Sequence, residues 1–168
     1  MKLTLDRMCI QTGRLCTSCE DLFEKGDISD IDIDFGKILM NVAKSQRFLS
    51  NVTVTKMVET KNKVFVIVSK GDKQKFLQAG DHLTKQFSTV DSRDIVYLEG
   101  TKNVKRLIEE LLMPVVPTGI STIFLPSFDE KELKIQVKKQ DKENLMSTEE
   151  LSVITNALLG INAHYAYN

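Results

Sequence analysis

No apolar run in these 168 residues approaches the roughly 20 needed to cross a bilayer as a helix, so the sequence predicts no transmembrane helix and no membrane partner. The opening Met1-Lys2-Leu3-Thr4-Leu5-Asp6-Arg7 does not read as a secretory leader, because its apolar stretch is short and an acid and a base interrupt it. A cytoplasmic, reducing location is expected. There the only three cysteines are better read as thiols or metal ligands than as disulfides. An excess of one charge is also missing: 23 basic residues balance 23 acidic ones. That counts against a protein that grips nucleic acid by general electrostatics, since phosphate binding scales with the Lys and Arg contacts made. A local basic face remains open. Catalytic signatures are absent as well. The two histidines lie far apart, no P-loop or G-x-G-x-x-G occurs, and nothing resembles a Ser/His/Asp set. No enzyme and no small-molecule substrate are expected.

What is present is the balance of a folded protein, 42% hydrophobic and 27% charged, long enough for one ordinary domain or two small ones. A short helix around Leu22 and Phe23 should stop at Lys25-Gly26. Phe35, Ile38, Leu39 and Val42 fall at i, i+3, i+4 and i+7, predicting an amphipathic helix over about 30–49. Two runs rich in β-branched residues follow, at 52–58 and 64–68, separated by a polar turn with Asn62 at its tip. The first alternates and should be half exposed. The second is apolar throughout and should be a buried central strand. Helical patterning returns at 73–77, breaks at Ala79-Gly80, and resumes with Leu83 and Phe87 on one face. A strand is expected at 95–98, then a helix at 104–112 stopped by Pro114 and Pro117. Residues 121–125 and 133–137 read as a strand pair. Ser147 and Glu150 form a capping-box-like start for a helix reaching Gly160, and a last strand is expected near 161–167. There, Tyr165 and Tyr167 alternate about Ala166, which favours one face of a sheet over a base-stacking role. In Asp27–Asp34 the interleaved Ile28, Ile31 and Ile33 point to a packed helix entry in place of a cation site.

The order helix–strand–strand–helix–helix–strand resembles a prokaryotic-type (type II) KH domain, in which a GXXG loop between two helices clamps about four nucleotides by the backbone. The corresponding segment is Gln78-Ala79-Gly80-Asp81-His82. Gln78 and Asp81 replace the outer glycines, and a carboxylate where phosphate should sit repels it. His82, Lys73, Lys75 and Lys85 are placed to compensate in part. The alternative is that this segment is a plain helix–turn–helix corner of the fold.

Further stretches sharpen the resemblance. These are Cys9-Ile-Gln-Thr-Gly-Arg-Leu-Cys16-Thr-Ser-Cys19, then Gly26-Asp-Ile-Ser-Asp-Ile-Asp32, then Gly119-Ile-Ser-Thr-Ile-Phe-Leu-Pro126 and Ser147-Thr-Glu-Glu-Leu151. Together they are similar to archaeal NusA-like KH proteins, whose start carries a C-x2-C-x6-C-x2-C cluster. The resemblance implies an α+β fold in three parts: a Cys-bearing, zinc-knuckle-like element at 1–27, a KH domain with a degenerate GXXG loop at 28–100, and a second KH-like segment without GXXG at 101–168. It also implies RNA binding, to single strands such as a nascent transcript, in the regulation of transcription elongation and termination. The RNA contacts would come from Lys73, Lys75, Gln78, Ala79, Gly80, Asp81, His82 and Lys85.

Where the family's first cysteine would fall, this chain has Asp6. Structural zinc wants four ligands in a tetrahedron. Asp6 is one candidate for the fourth beside Cys9, Cys16 and Cys19. Otherwise the metal is lost and the cysteines remain as small buried hydrophobes, or His82 or His164 closes the site. A metal would serve to hold an N-terminal loop with too little core of its own. The competing function is a KH scaffold that no longer binds RNA and docks as a protein-interaction factor on RNA polymerase or the ribosome.

Overall fold

The computed structural model describes residues 1–125, 130–139 and 145–168. It divides into two compact units, Met1–Gly100 and Thr101–Asn168. Among the described residues no helix is long and apolar enough to cross a membrane. The fold is α+β, with two three-stranded sheets among the described residues.

The first unit begins with two short helices, α1 (Arg7–Thr12) and α2 (Thr17–Glu24), followed by α3 (Asp30–Ser45). Gly13 and Gly26, both at positive φ, let the chain reverse after α1 and α2. A capping box starts α3, where the Ser29 amide donates to Asp32 Oδ2 at 3.0 Å. Burial raises the Asp32 carboxyl above its ordinary range, with the Ser29 amide pulling the other way. Ile28 and Ile31 are buried at this entry, as its alternating isoleucines predict.

The helix is shorter than its apolar periodicity suggests. It ends at Ser45, and Arg47–Asn51 forms a 3-10 turn. Leu49 keeps the spacing from Val42 and is fully buried, so the pattern runs on although the backbone has changed.

Strands β1 (Val54–Glu59) and β2 (Lys63–Val68) pair antiparallel, and β3 (Asp94–Glu99) joins β2 in parallel. Helices α4 (Lys73–Gln78) and α5 (Gly80–Phe87) form the crossover. The central strand β2 is buried from Val64 to Val68. The first half of the alternating run behaves differently. Val52 and Val54 bracket Lys2 through backbone hydrogen bonds of 2.9 Å each, so residues ahead of α1 lengthen the sheet by one bridge. Val64, Val66 and Val68 pack with Phe35, Leu39 and Val42 of α3, with Phe76, Leu83 and Phe87 of α4 and α5, and with Ala79 between them. Phe35 meets Phe87 edge-on, ring centres 6.2 Å apart, an arrangement favoured by the aromatic quadrupole.

The second unit repeats the plan from α3 onward, and among the described residues its crossover holds one helix. Helix α6 (Val104–Leu112) precedes β4 (Gly119–Leu125) and β5 (Glu130–Val137), then α7 (Thr148–Leu159) and β6 (Asn162–Tyr167). Again the first two strands are antiparallel and the third is parallel to the second. Ser147 caps α7 by accepting from the Glu150 amide at 3.2 Å, and Gly160 ends it at φ +66. Tyr165 and Tyr167 register with Ile135 and Val137. The Tyr165 hydroxyl lies 2.7 Å from Thr155 Oγ1 of α7, and burial pushes its pKa up to about 12. Its ring belongs to the inner face of the sheet.

Candidate functional site

Two arms of like construction bring the cysteines together. Asp6 is the N-cap of α1 and Cys16 the N-cap of α2, both in extended conformation. Three residues on, Cys9 and Cys19 sit in the first helical turn and are buried. The arms exchange hydrogen bonds. The Cys16 amide donates to Cys9 Sγ at 3.2 Å, and the Asp6 amide donates to Cys19 Sγ at 3.4 Å. Asp6 therefore holds in the first arm the place that Cys16 holds in the second. The sulfurs of Cys9, Cys16 and Cys19 all lie within 4.8 Å of one another.

The side chain of Asp6 does not join this triad. Its Oδ1 accepts from the Met8 amide at 2.8 Å and caps α1, the role an aspartate plays well at that position. No histidine enters either. His82 is exposed on α5, and His164 stands 3.3 Å from Glu132 in the second unit.

Three sulfur donors are what a thiophilic metal seeks, with one position of a tetrahedron left for a carboxylate or water. The thiols differ from one another. The Cys19 backbone amide, followed by the neighbouring thiols, holds exposed Cys16 below the usual thiol range. Burial pushes Cys19 up to about 11. Around the triad, Leu5, Cys9, Ile10, Cys19 and Ile28 form a small apolar cluster, packed by Leu15, Leu22, Ile33 and Met40. The segment expected to be a loop with too little core is thus two short helices, the first capped by Asp6, with apolar packing of their own. They lie in the same compact unit as the rest of residues 1–100.

The second expected site is the α4–α5 corner. Ala79 is fully buried in the main core and presents no side chain to a ligand. Gly80 has open space where a Cβ would stand and no positive φ, so nothing local demands glycine. Gln78, Asp81, His82 and Lys85 are exposed, while Lys73 and Gly80 are half-buried. Lys75 is engaged elsewhere. Its Nζ lies 2.7 Å from Oδ1 of buried Asp72, whose Oδ2 accepts from the Thr53 amide at 2.9 Å. That aspartate ties the start of α4 to the start of the sheet. Asp81 falls in the first turn of α5, where the helix dipole favours an anion. The corner thus carries its own negative charge where phosphate would be drawn.

No family model and no curated protein matches the chain. Among solved structures it is similar to the crystal structure of APE1850, with 16% sequence identity and a TM-score of 0.57. The likeness covers 77% of this chain and 96% of that one. At this identity it is a likeness of fold.

Proposed function

We propose that this chain binds single-stranded RNA as a NusA-like factor of transcription elongation and termination in the cytoplasm, through a type II KH domain in the first unit with a KH-like second unit as its structural partner. The observation that carries the reading is the repeat of one topology. Each unit has a helix, an antiparallel strand pair, a helical crossover, and a third strand parallel to the second. The first unit has this order with two crossover helices, as a type II KH module does. Titration of labelled single-stranded RNA at several salt concentrations tests it. Saturable binding that weakens with salt is the expected result. Affinity no better than background, for the wild type and for Asp81→Gly alike, would overturn it.

A second reading, a protein-interaction factor docking on RNA polymerase or the ribosome, is favoured by the corner itself. Lys75 is neutralised by Asp72, and Asp81 occupies the helix start. A large gain in RNA affinity from Asp81→Gly alone would mean that the scaffold is competent and only the corner is disabled. For the cysteines the proposal is a structural zinc ion held by Cys9, Cys16 and Cys19, with Asp6 as fourth ligand once its carboxylate turns from the Met8 amide. The matched places of Asp6 and Cys16 support that assignment.

A further inference from the structure

A cleft runs between α1 and α3, away from the α4–α5 corner. Its walls follow from helical spacing. Arg7 and Gln11 are four residues apart on α1, while Lys37, Asn41 and Lys44 follow at i, i+4 and i+7 on α3, so each set shares a face. These residues line a hollow of about 210 Å³ together with Met40. A second hollow of about 250 Å³ shares Arg7, Met40 and Lys44 and carries the cleft on toward Ser50.

The charge in it is of one sign. Arg7 and Lys44 are exposed, and neither side chain has a partner among the described residues. Lys37 is half exposed and shares its charge with Asp34 only at 3.9 Å. Lys37 and Lys44 stand about 10 Å apart along the helix axis, with Arg7 facing them, so the cations form a line and not a point. In a chain whose net charge is zero, this is a concentration of positive charge in a concave site, only Lys37 of the three having an acidic neighbour. Gln11 and Asn41 add amide donors and acceptors, and Met40 adds an apolar surface. Phosphates, polar edges and an apolar face are what a nucleotide chain presents.

We propose that the phosphate backbone of a single RNA strand lies in the cleft between α1 and α3, held by Arg7, Lys37 and Lys44, and not at the α4–α5 corner. This rests on the RNA-binding reading above and moves its site to a different face of the first unit. It removes the difficulty that the corner carries Asp81 and a neutralised Lys75.

The test is fluorescence anisotropy of a labelled single-stranded oligouridine with four proteins: wild type, Arg7→Ala/Lys44→Ala, Arg7→Lys/Lys44→Arg and Asp81→Gly. Urea midpoints confirm that each is folded. The alanine pair should weaken binding about tenfold or more at low salt. It should also reduce the slope of log K against log salt by about 1.4, or about 0.7 for each phosphate that is no longer neutralised. The charge-keeping pair should bind within a few-fold of wild type, and Asp81→Gly should change little. Wild-type affinity in the alanine pair would overturn the cleft while leaving RNA binding in place. Background affinity in the wild type and Asp81→Gly alike would overturn both, and binding by Asp81→Gly alone would overturn the cleft. Uridine monophosphate binding as tightly as the oligomer would mark a free-nucleotide pocket and overturn the strand proposal.

Discussion

The Cβ that Gly36 lacks would stand 2.8 Å from Cδ1 of Ile10, so any side chain at this position of α3 would force Ile10 of α1 to shift. Gly36 is buried in the interior of α3. Helix propensity alone would favour alanine there by about 1 kcal/mol. Overpacking should reverse the sign, and Gly36→Ala is expected to cost about 1–3 kcal/mol net. Adding Ile10→Val, which removes Cδ1, should recover part of the loss. Urea denaturation of the single and double variants checks this. A Gly36→Ala protein more stable than wild type would show that the two helices are not in close contact.

Asp72 is the hub of a small polar network, accepting from both Thr53 and Lys75. Asp72→Ala strands a partly buried amide and should cost about 2 kcal/mol. Lys75→Met removes a partner that is 37% exposed and should cost about 0.5 kcal/mol or less. Equal losses from the two would mean that the ion pair, and not the Thr53 bond, matters.

The thiols should separate chemically. In metal-free protein near neutral pH, iodoacetamide should label exposed Cys16 first, because its thiolate form is favoured and accessible, and Cys19 last. Peptide mass spectrometry over time reads the order. The raised Cys19 also predicts the alkaline behaviour of the fold. Its burial favours the thiol, so the stability it lends is full below pH 9 and is lost as pH rises toward about 11. Over that window the unfolded chain has released a proton that the folded chain retains. Cys19→Ala should flatten that limb of the stability–pH curve.

Protein purified without chelator should carry about one zinc per chain, and cobalt substitution should give thiolate-to-cobalt charge-transfer bands. Asp6→Cys, supplying a fourth sulfur, should tighten the metal by at least about tenfold. Zinc-free, fully folded protein with no cobalt spectrum would leave Cys9 and Cys19 as packing residues and Cys16 as an exposed thiol.

Much of this architecture is legible in the residues. Val64–Val68 announces a buried central strand because no polar residue interrupts it. Ser147, Glu150 and Gly160 mark both ends of α7 because capping is local chemistry. What the sequence conceals is non-local or leaves the periodicity intact. The end of α3 is hidden because Leu49 keeps a helical spacing inside a 3-10 turn. The bond from Thr53 to Asp72 spans 19 residues, and no local pattern encodes it. For the candidate sites, the two x2 spacings at Asp6–Cys9 and Cys16–Cys19 are visible, but the crossed amide–sulfur bonds between the arms are not. Arg7 with Gln11, and Lys37 with Lys44, are readable as helix faces. That they face one another depends on the packing of α1 on α3, where Ile10 sits over Gly36 and Ile33 and Met40 join the cluster.

Each sheet is closed by its last strand in chain order, β3 in one unit and β6 in the other. During synthesis the hairpin of β1 and β2 therefore emerges well before its final partner. Until Asp94–Glu99 arrives, the outer edge of Val64–Val68 offers unpaired amides and carbonyls along an apolar ribbon. Such edges invite other chains. A shortened version ending anywhere between Ser69 and Ile95 should therefore go into inclusion bodies.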